Sequence, residues 1–251
     1  MLTRRYLPIL GTMALLLLWW LLTITKLVQP LFLPRPEVVF SRCISLLLTG
    51  VLLPDLGITL VRLLLGLGCG IVIGVPLGLL MGSYAWFHQF LEVIVDFFRS
   101  IPVAALFPLF LLFFGIGNIG KIAITAYSTS LIIMINTIYG VHNASSMRRR
   151  VAASLGAKRW QIFYLVTLPE SLPAIAAGIR TAVSLGLIVV LMGEMFMGGS
   201  TGLGQKIYEW SLLYRIPEMY VAIIMTGILG YCLNKIFVFF ENRIIHWKGL
   251  A

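Results

Sequence analysis

The chain has 251 residues, of which 60% are hydrophobic and only 11% charged, and its formal net charge is +10. A soluble domain needs about 25% charged residues to cover its surface, so this composition excludes one and makes lipid the covering. The apolar runs are continuous for about 20 residues rather than alternating, which excludes a β-barrel and leaves an all-α membrane protein whose cations serve topology, not nucleic acid.

Six spans are expected in one transmembrane domain covering 1–251, at about 7–26, 58–82, 90–114, 118–141, 172–198 and 217–240. Thr3-Arg4-Arg5-Tyr6-Leu7-Pro8 faintly matches a twin-arginine export signal. It reads instead as a cytoplasmic cap, because the apolar run behind it outlasts a signal core and no small-residue cleavage site comes after it. Between the first two spans, PEVVFSRCISLLL has mixed polarity and reads as an interfacial amphipathic helix, with Glu37 just after Pro36 suiting a helix start.

In the second span Gly66, Gly70, Gly74, Gly78 and Gly82 recur every four residues, which keeps them on one broad helix face. Such a face lets another backbone approach closely, either inside one subunit or between subunits. Pro76 should kink this helix. In the third span Asp96 and Arg99 stand three apart and can pair, and Pro102 and Pro108 bend the chain beyond them. That stretch reads as a gate or pathway wall, or as a neutralised pair near the interface.

Gly115-Ile-Gly117-Asn-Ile-Gly120 fits the dinucleotide fingerprint but is rejected. The run before it is too long for a strand, and no acid stands about 20 residues on. It reads as a glycine turn between spans three and four. Glu194, beside Met195, is the sole carboxylate within span five. It suits the translocation path or its outer closure, or a structural hydrogen bond, and no evident partner accompanies it. Lys121 and Arg180 lie near predicted span ends and read as snorkelling cations. Cys43, Cys69, Cys232, His88, His142 and His246 form no disulfide or metal pattern, and no Walker, G-x-S-x-G or H-E-x-x-H motif occurs.

With the N-terminus inside, nine cations (Arg4, Arg5, Arg148, Arg149, Arg150, Lys158, Arg159, Arg243, Lys248) face the cytoplasm and five (Lys26, Arg35, Arg42, Lys206, Arg215) lie outside. This asymmetry puts both termini inside, and with them residues 142–171, the longest polar interruption. Val151-Ala152-Ala153-Ser154-Leu155 offers small side chains, Gly156 ends or turns the helix, and Lys158 and Arg159 flank it; Leu168-Pro169 is read as a turn before span five. Such a segment suits a helix seated in a groove of another protein. The competing reading is an ordinary basic loop.

At these residues the chain resembles the binding-protein-dependent ABC importer permeases, whose cytoplasmic loop reads E-A-A-x-x-x-G followed about nine residues later by I-x-L-P. Val151-Ala152-Ala153, Gly156 and Val166-Thr167-Leu168-Pro169 are placed in that register, with Val151 for the acid and Val166 for the isoleucine. Phe32-Leu33-Pro34-Arg35-Pro36 resembles the family's F-L-P-x-P. Arg99-Ser100-Ile101-Pro102, Pro108 and Phe114-Gly115-Ile116-Gly117 resemble its R-P-I-P…P…F-G-I-G. Thr201-Gly202-Leu203-Gly204 and Trp247 match its T-G-L-G and closing tryptophan.

The resemblance implies a type I importer transmembrane domain of the nitrate, sulfonate, taurine and bicarbonate branch in a bacterial inner membrane. It implies a second copy of the chain, two cytoplasmic ATPase subunits carrying ATP and Mg, and an external solute-binding protein. No cofactor or metal is expected on this chain, which is a non-catalytic subunit. The coupling helix falls at 148–160, drawing on Arg150, Val151, Ala152, Ala153, Leu155, Gly156, Ala157, Lys158, Arg159, Leu168 and Pro169. The path or gate set is Asp96, Arg99, Pro102, Glu194 and Met195. Two rival classes are an ion-gradient-driven secondary transporter, which usually shows more spans or an internal repeat, and an intramembrane enzyme, which needs convergent catalytic groups.

Overall fold

The computed structural model describes residues 3–25, 28–29 and 31–245; Lys26, His246, Trp247 and Lys248, with the side chains of Arg4 and Arg5, lie outside the description. The elements in order are α1 (Thr3–Ile24), α2 (Pro36–Leu48), α3 (Leu53–Ser83), α4 (Ala85–Ser100), α5 (Val103–Phe114), α6 (Asn118–His142), α7 (Ser146–Ser154), α8 (Arg159–Ile162), α9 (Leu168–Phe196), α10 (Leu203–Leu212) and α11 (Ile216–Ile244). A π turn, Phe163–Thr167, joins α8 to α9.

The centre is α3 against α6 against α9, and the glycine face explains the first of these contacts. A Cβ on Gly66 would lie 2.7 Å from Thr125 Cβ, one on Gly78 2.6 Å from Thr137 Cβ, and one on Gly82 2.6 Å from Val141 Cβ. Gly70 meets Thr129, and Gly74 meets the Ser130 carbonyl, again on α6. The threonines can serve as an apolar wall because their hydroxyls donate to their own helix: Thr125 to Lys121 O at 2.7 Å and Thr137 to Ile133 O at 2.7 Å. The face is thus filled within one chain, which decides between the two readings of the glycine pattern. Pro76 sits inside α3 without ending it.

α6 repeats the device toward α9. Gly140 lies against Ser171 and Ala174, and Gly178 against Asn136. α2 begins with Pro36 and Glu37, as expected, and is tied down by Trp20 Nε1 donating to Glu37 Oε1 at 2.9 Å. Trp19 donates to Pro34 O at 3.2 Å and stacks on Tyr220 of α11 at 6.0 Å between ring centroids. The main core joins α2, α3, α9, α10 and α11 through Val39, Leu63, Leu187, Leu203, Trp210 and Val221, among others.

One expectation about spans is corrected. The third is not one helix: α4 and α5 are bent 96° apart at the break. Pro102 has no N–H to continue the ladder, and the residue before it, Ile101, is held extended at ψ 121°. Among the described residues four helices are long and apolar enough to cross a membrane, or five if the bent pair is one broken crossing. α1, at 22 residues, is about 33 Å long, enough for a hydrocarbon core of about 30 Å, and its described apolar stretch is Leu10–Ile24. The glycine turn between α5 and α6 is as read, with Gly115 at φ 71°.

Candidate functional site

Two polar constructions stand out at opposite ends of the helices. One is the 142–171 segment. Ser145 caps α7 by accepting from Arg148 N–H at 3.3 Å. The helix closes through a paired C-terminal motif, with Ala157 N–H donating to Ala152 O and Gly156 N–H to Ala153 O, both at 3.0 Å. That motif needs a left-handed residue after the cap, and Gly156 supplies it at φ 83°.

The stretch 148–160, where a coupling helix is expected, comprises most of α7 (Ser146–Ser154), a turn over 155–158 and the start of the short α8. Ala152 and Ala157 are half-buried; Arg150, Ala153, Lys158 and Arg159 are exposed. Met147, Val151 and Leu155, at four-residue spacing on one face, are 68%, 50% and 82% exposed.

Leu168-Pro169 makes no turn, contrary to expectation. The helix runs from Arg159 to Phe196. The π turn immediately before Leu168 widens the ladder where the Pro169 ring would meet the carbonyl four residues back. The loop-motif register also needs a correction. Three residues must stand between A-A and the glycine, so counting back from Gly156 puts Arg150 at the acid's place and Val151-Ala152 at the alanines.

Glu170, at the start of α9, holds α7 in place. It takes the Ser145 backbone N–H and pairs with Arg148 at 2.9 Å.

The other construction is a buried polar cluster centred on Glu194. Its carboxylate accepts from Arg62 Nη1 at 2.6 Å, from Thr59 Oγ1 at 2.9 Å and from Gly204 N–H at 2.9 Å. The side chains of Arg62 and Glu194 are 3% and 0% exposed. Arg62 further donates to Asn118 Oδ1 at 2.7 Å and to Thr201 O at 2.8 Å. Asp55 accepts from Gly202 N–H at 2.7 Å, and Leu203 N–H donates to Thr59 Oγ1 at 2.9 Å. Lys121 is buried and donates to Gly198 O at 2.6 Å.

The Thr201–Gly204 motif is thus a loop wrapped round a carboxylate. Gly202, at φ 119°, leaves no room for a Cβ beside Glu194. The two formal negatives, Asp55 and Glu194, balance the two positives, Arg62 and Lys121.

This arrangement corrects several readings. Glu194 has a partner, indeed three, and lines no open space. Lys121 does not snorkel. Arg180 is not at a helix end either, and pairs with Glu241 at 3.4 Å. Asp96 and Arg99 do pair, at 3.2 Å, with both side chains more than half exposed on α4; Pro102 caps α5, and Met195 is half-buried.

Asp55, Thr59, Arg62 and Asn118 were overlooked in the sequence. Their signal is an Asp, Thr and Arg at helical spacing i, i+4, i+7 running into the predicted span 58–82, which holds Thr59 and Arg62 and where each must find a partner. The fold also brings His88 and His142 to 5.6 Å between ring centroids. No group of three metal-ligating residues occurs among the described residues.

With this geometry in view, the likenesses to known proteins are informative. Residues 70–246 match the family described as binding-protein-dependent transport system inner membrane component. A probable ABC transporter permease protein of Brucella abortus is 33% identical over 233 residues, covering 93% of this chain and 92% of its own length. The taurine transport system permease protein TauC of Escherichia coli is 28% identical over 254 residues, covering 99% of this chain and 92% of its own.

Among solved structures, the inward-facing MetNI methionine ABC transporter superposes with a TM-score of 0.67 at 24% identity, over 78% of this chain and 95% of that one. A bacterial ABC transporter importing alginate gives 0.60 at 16%, over 98% and 97%. These two likenesses are of fold. A family match across most of the chain, joined to a relative 33% identical along nearly its whole length, means that the chain belongs to the binding-protein-dependent ABC importer permeases, as a multi-pass membrane subunit.

Proposed function

We propose that the chain, as a single transmembrane domain, pairs with a second copy in a bacterial inner membrane with both termini in the cytoplasm. Two ATPase subunits dock beneath the pair, and an external binding protein delivers a small anion of the taurine, sulfonate, nitrate or bicarbonate type. ATP and Mg belong to the ATPase subunits, and this chain performs no catalysis of its own. The anion class rests on likeness to the E. coli taurine permease and, at 27% identity, to a Bacillus subtilis aliphatic sulfonates permease.

The observation that carries the docking reading is the stripe of Met147, Val151 and Leu155. It is an apolar ridge exposed on a polar end of the molecule, where burial against a partner gains about 25 cal/mol for each Å² covered. Arg149, Arg150, Lys158 and Arg159 surround it, and the glycine turn behind Leu155 keeps the ridge short enough for a groove. ATP-driven closure of the ATPase pair moves α7, and Arg148 and Glu170 pass the displacement to α9.

The test is Leu155→Asp, which places a charge at the most exposed ridge position. Loss of ATPase co-purification and of ATP-driven uptake is expected, with normal membrane insertion. Normal association and uptake would overturn the docking reading. Solute movement in vesicles lacking any ATPase would overturn ATP coupling in favour of an ion gradient, which no observation favours.

A further inference from the structure

Intramembrane polar groups are costly in contact with hydrocarbon, so those left exposed on spanning helices mark a watered path or a partner. Along the middle of α3 and on α5 the outward positions obey that rule: Val72 and Leu112, for example, are large, apolar and exposed. A groove between α9 and α11 does not. It is a shallow, open depression of about 460 Å³ lined by Arg180, Thr181, Ser184, Leu185 and Asn234. Arg180 lies about 18 Å along α9 from its start and about 24 Å from its end, level with Glu241 near the end of α11.

The donor chemistry of the groove is specific. Thr181 Oγ1 donates to Ala177 O at 3.0 Å, so toward the groove it only accepts. Ser184 and Asn234 are exposed and make no hydrogen bond within the described chain. Arg180 uses one edge of its guanidinium on Glu241, through Nη1 at 3.4 Å, and is 42% exposed. The groove therefore offers part of a guanidinium fork, a hydroxyl and an amide, all free to donate, which fits an oxyanion head. Glu241 neutralises the arginine and holds it in place. That keeps capture weak, as a passage site requires: a solute held tightly would not leave.

We propose that this groove is a passage site for the oxyanion end of the transported solute, with Arg180, Ser184 and Asn234 as its donors. The proposal rests on the reading of the solute as a small anion. It places the path on α9 and α11 and not at Glu194.

The test uses the whole transporter in liposomes, with Cys43, Cys69 and Cys232 replaced by serine and single cysteines installed by Ser184→Cys, Asn234→Cys or Val72→Cys. The probe is a membrane-impermeant methanethiosulfonate bearing a sulfonate. Labelling of the two groove positions at least tenfold faster than Val72→Cys is expected, and equal, slow labelling overturns the site.

A second arm measures uptake of taurine, nitrate and an alkanesulfonate by the pair Arg180→Gln/Glu241→Gln, which removes both members of this ion pair together. A KM raised at least tenfold for whichever anion the parent transports, with ATPase association unchanged, supports the proposal. An unchanged KM overturns it. Transport of none of the three by the parent removes the anion reading on which it rests, whereas lost ATPase association would instead strike at docking.

Discussion

Replacing Glu194 by glutamine keeps the shape of the side chain and removes its charge, and the structure sets the size of the effect. Three donors converge on the carboxylate: Arg62 Nη1 at 2.6 Å, Thr59 Oγ1 at 2.9 Å and Gly204 N–H at 2.9 Å. An amide keeps one acceptor oxygen and turns an NH2 toward donors, so at least one of these contacts becomes repulsive. Arg62 retains Asn118 and the Thr201 carbonyl, but both are neutral. Stripping one partner from a buried ion pair costs about 3–5 kcal/mol. That is a large part of a typical stability of about 5–15 kcal/mol.

Arg62→Met should cost about as much, because it leaves Glu194 as the unpaired charge. The double variant Arg62→Met/Glu194→Gln carries neither charge and should lose much less than the sum, with a coupling energy of about 2–3 kcal/mol. The assay is reversible denaturant unfolding of the detergent-purified subunit, followed by far-UV ellipticity. Single variants costing under about 1 kcal/mol, or a double variant that is simply additive, would refute the view that this pair is closed off from water and mutually dependent.

Two further substitutions test the local arguments. Gly78→Ala should destabilise by about 1–3 kcal/mol in the same assay, because its Cβ meets Thr137 and the Met134 carbonyl, whereas Gly68→Ala, with nothing within 4 Å, should be neutral or stabilising. Equal effects at the two sites would remove the glycine-seam explanation of α3 against α6. Gly156→Ala has room for its methyl group but must hold φ near 83°, a cost of about 1–2 kcal/mol to the α7 turn that Gly156→Asn should largely avoid. Limited proteolysis of 155–158 reports the difference, and identical cleavage of all three proteins would count against the turn as drawn.

The features legible in the sequence obeyed short-range rules. Glycines every fourth residue fix a face, and α3 uses that face; Gly156 announces a helix end, and α7 ends there. Pro102 announced a break, but not its direction, because the 96° bend depends on what α4 and α5 lie against. Leu168-Pro169 misled because a proline inside a helix is tolerated when the turn before it widens, and sequence spacing does not reveal a π turn. The Glu194 cluster stayed hidden because its main partner, Arg62, is 132 positions away.

The two polar constructions nonetheless share one element. Glu170 and Glu194 stand on the same uninterrupted helix, α9, about 36 Å apart along its axis. The first binds the cap and first turn of α7, and the second binds α3 and the loop leading into α10. The Arg148–Glu170 contact joins α9 beyond the π turn, so the softest part of the helical rod is bypassed. A displacement of α7 is therefore delivered to α9 past the π turn, and between there and the Glu194 cluster the ladder misses one bond, at Pro173 near the start of the helix, which has no N–H to donate. Closed interior packing deforms little under load, so the loop leading into α10 must either move with α9 or give up the hydrogen bonds that hold it.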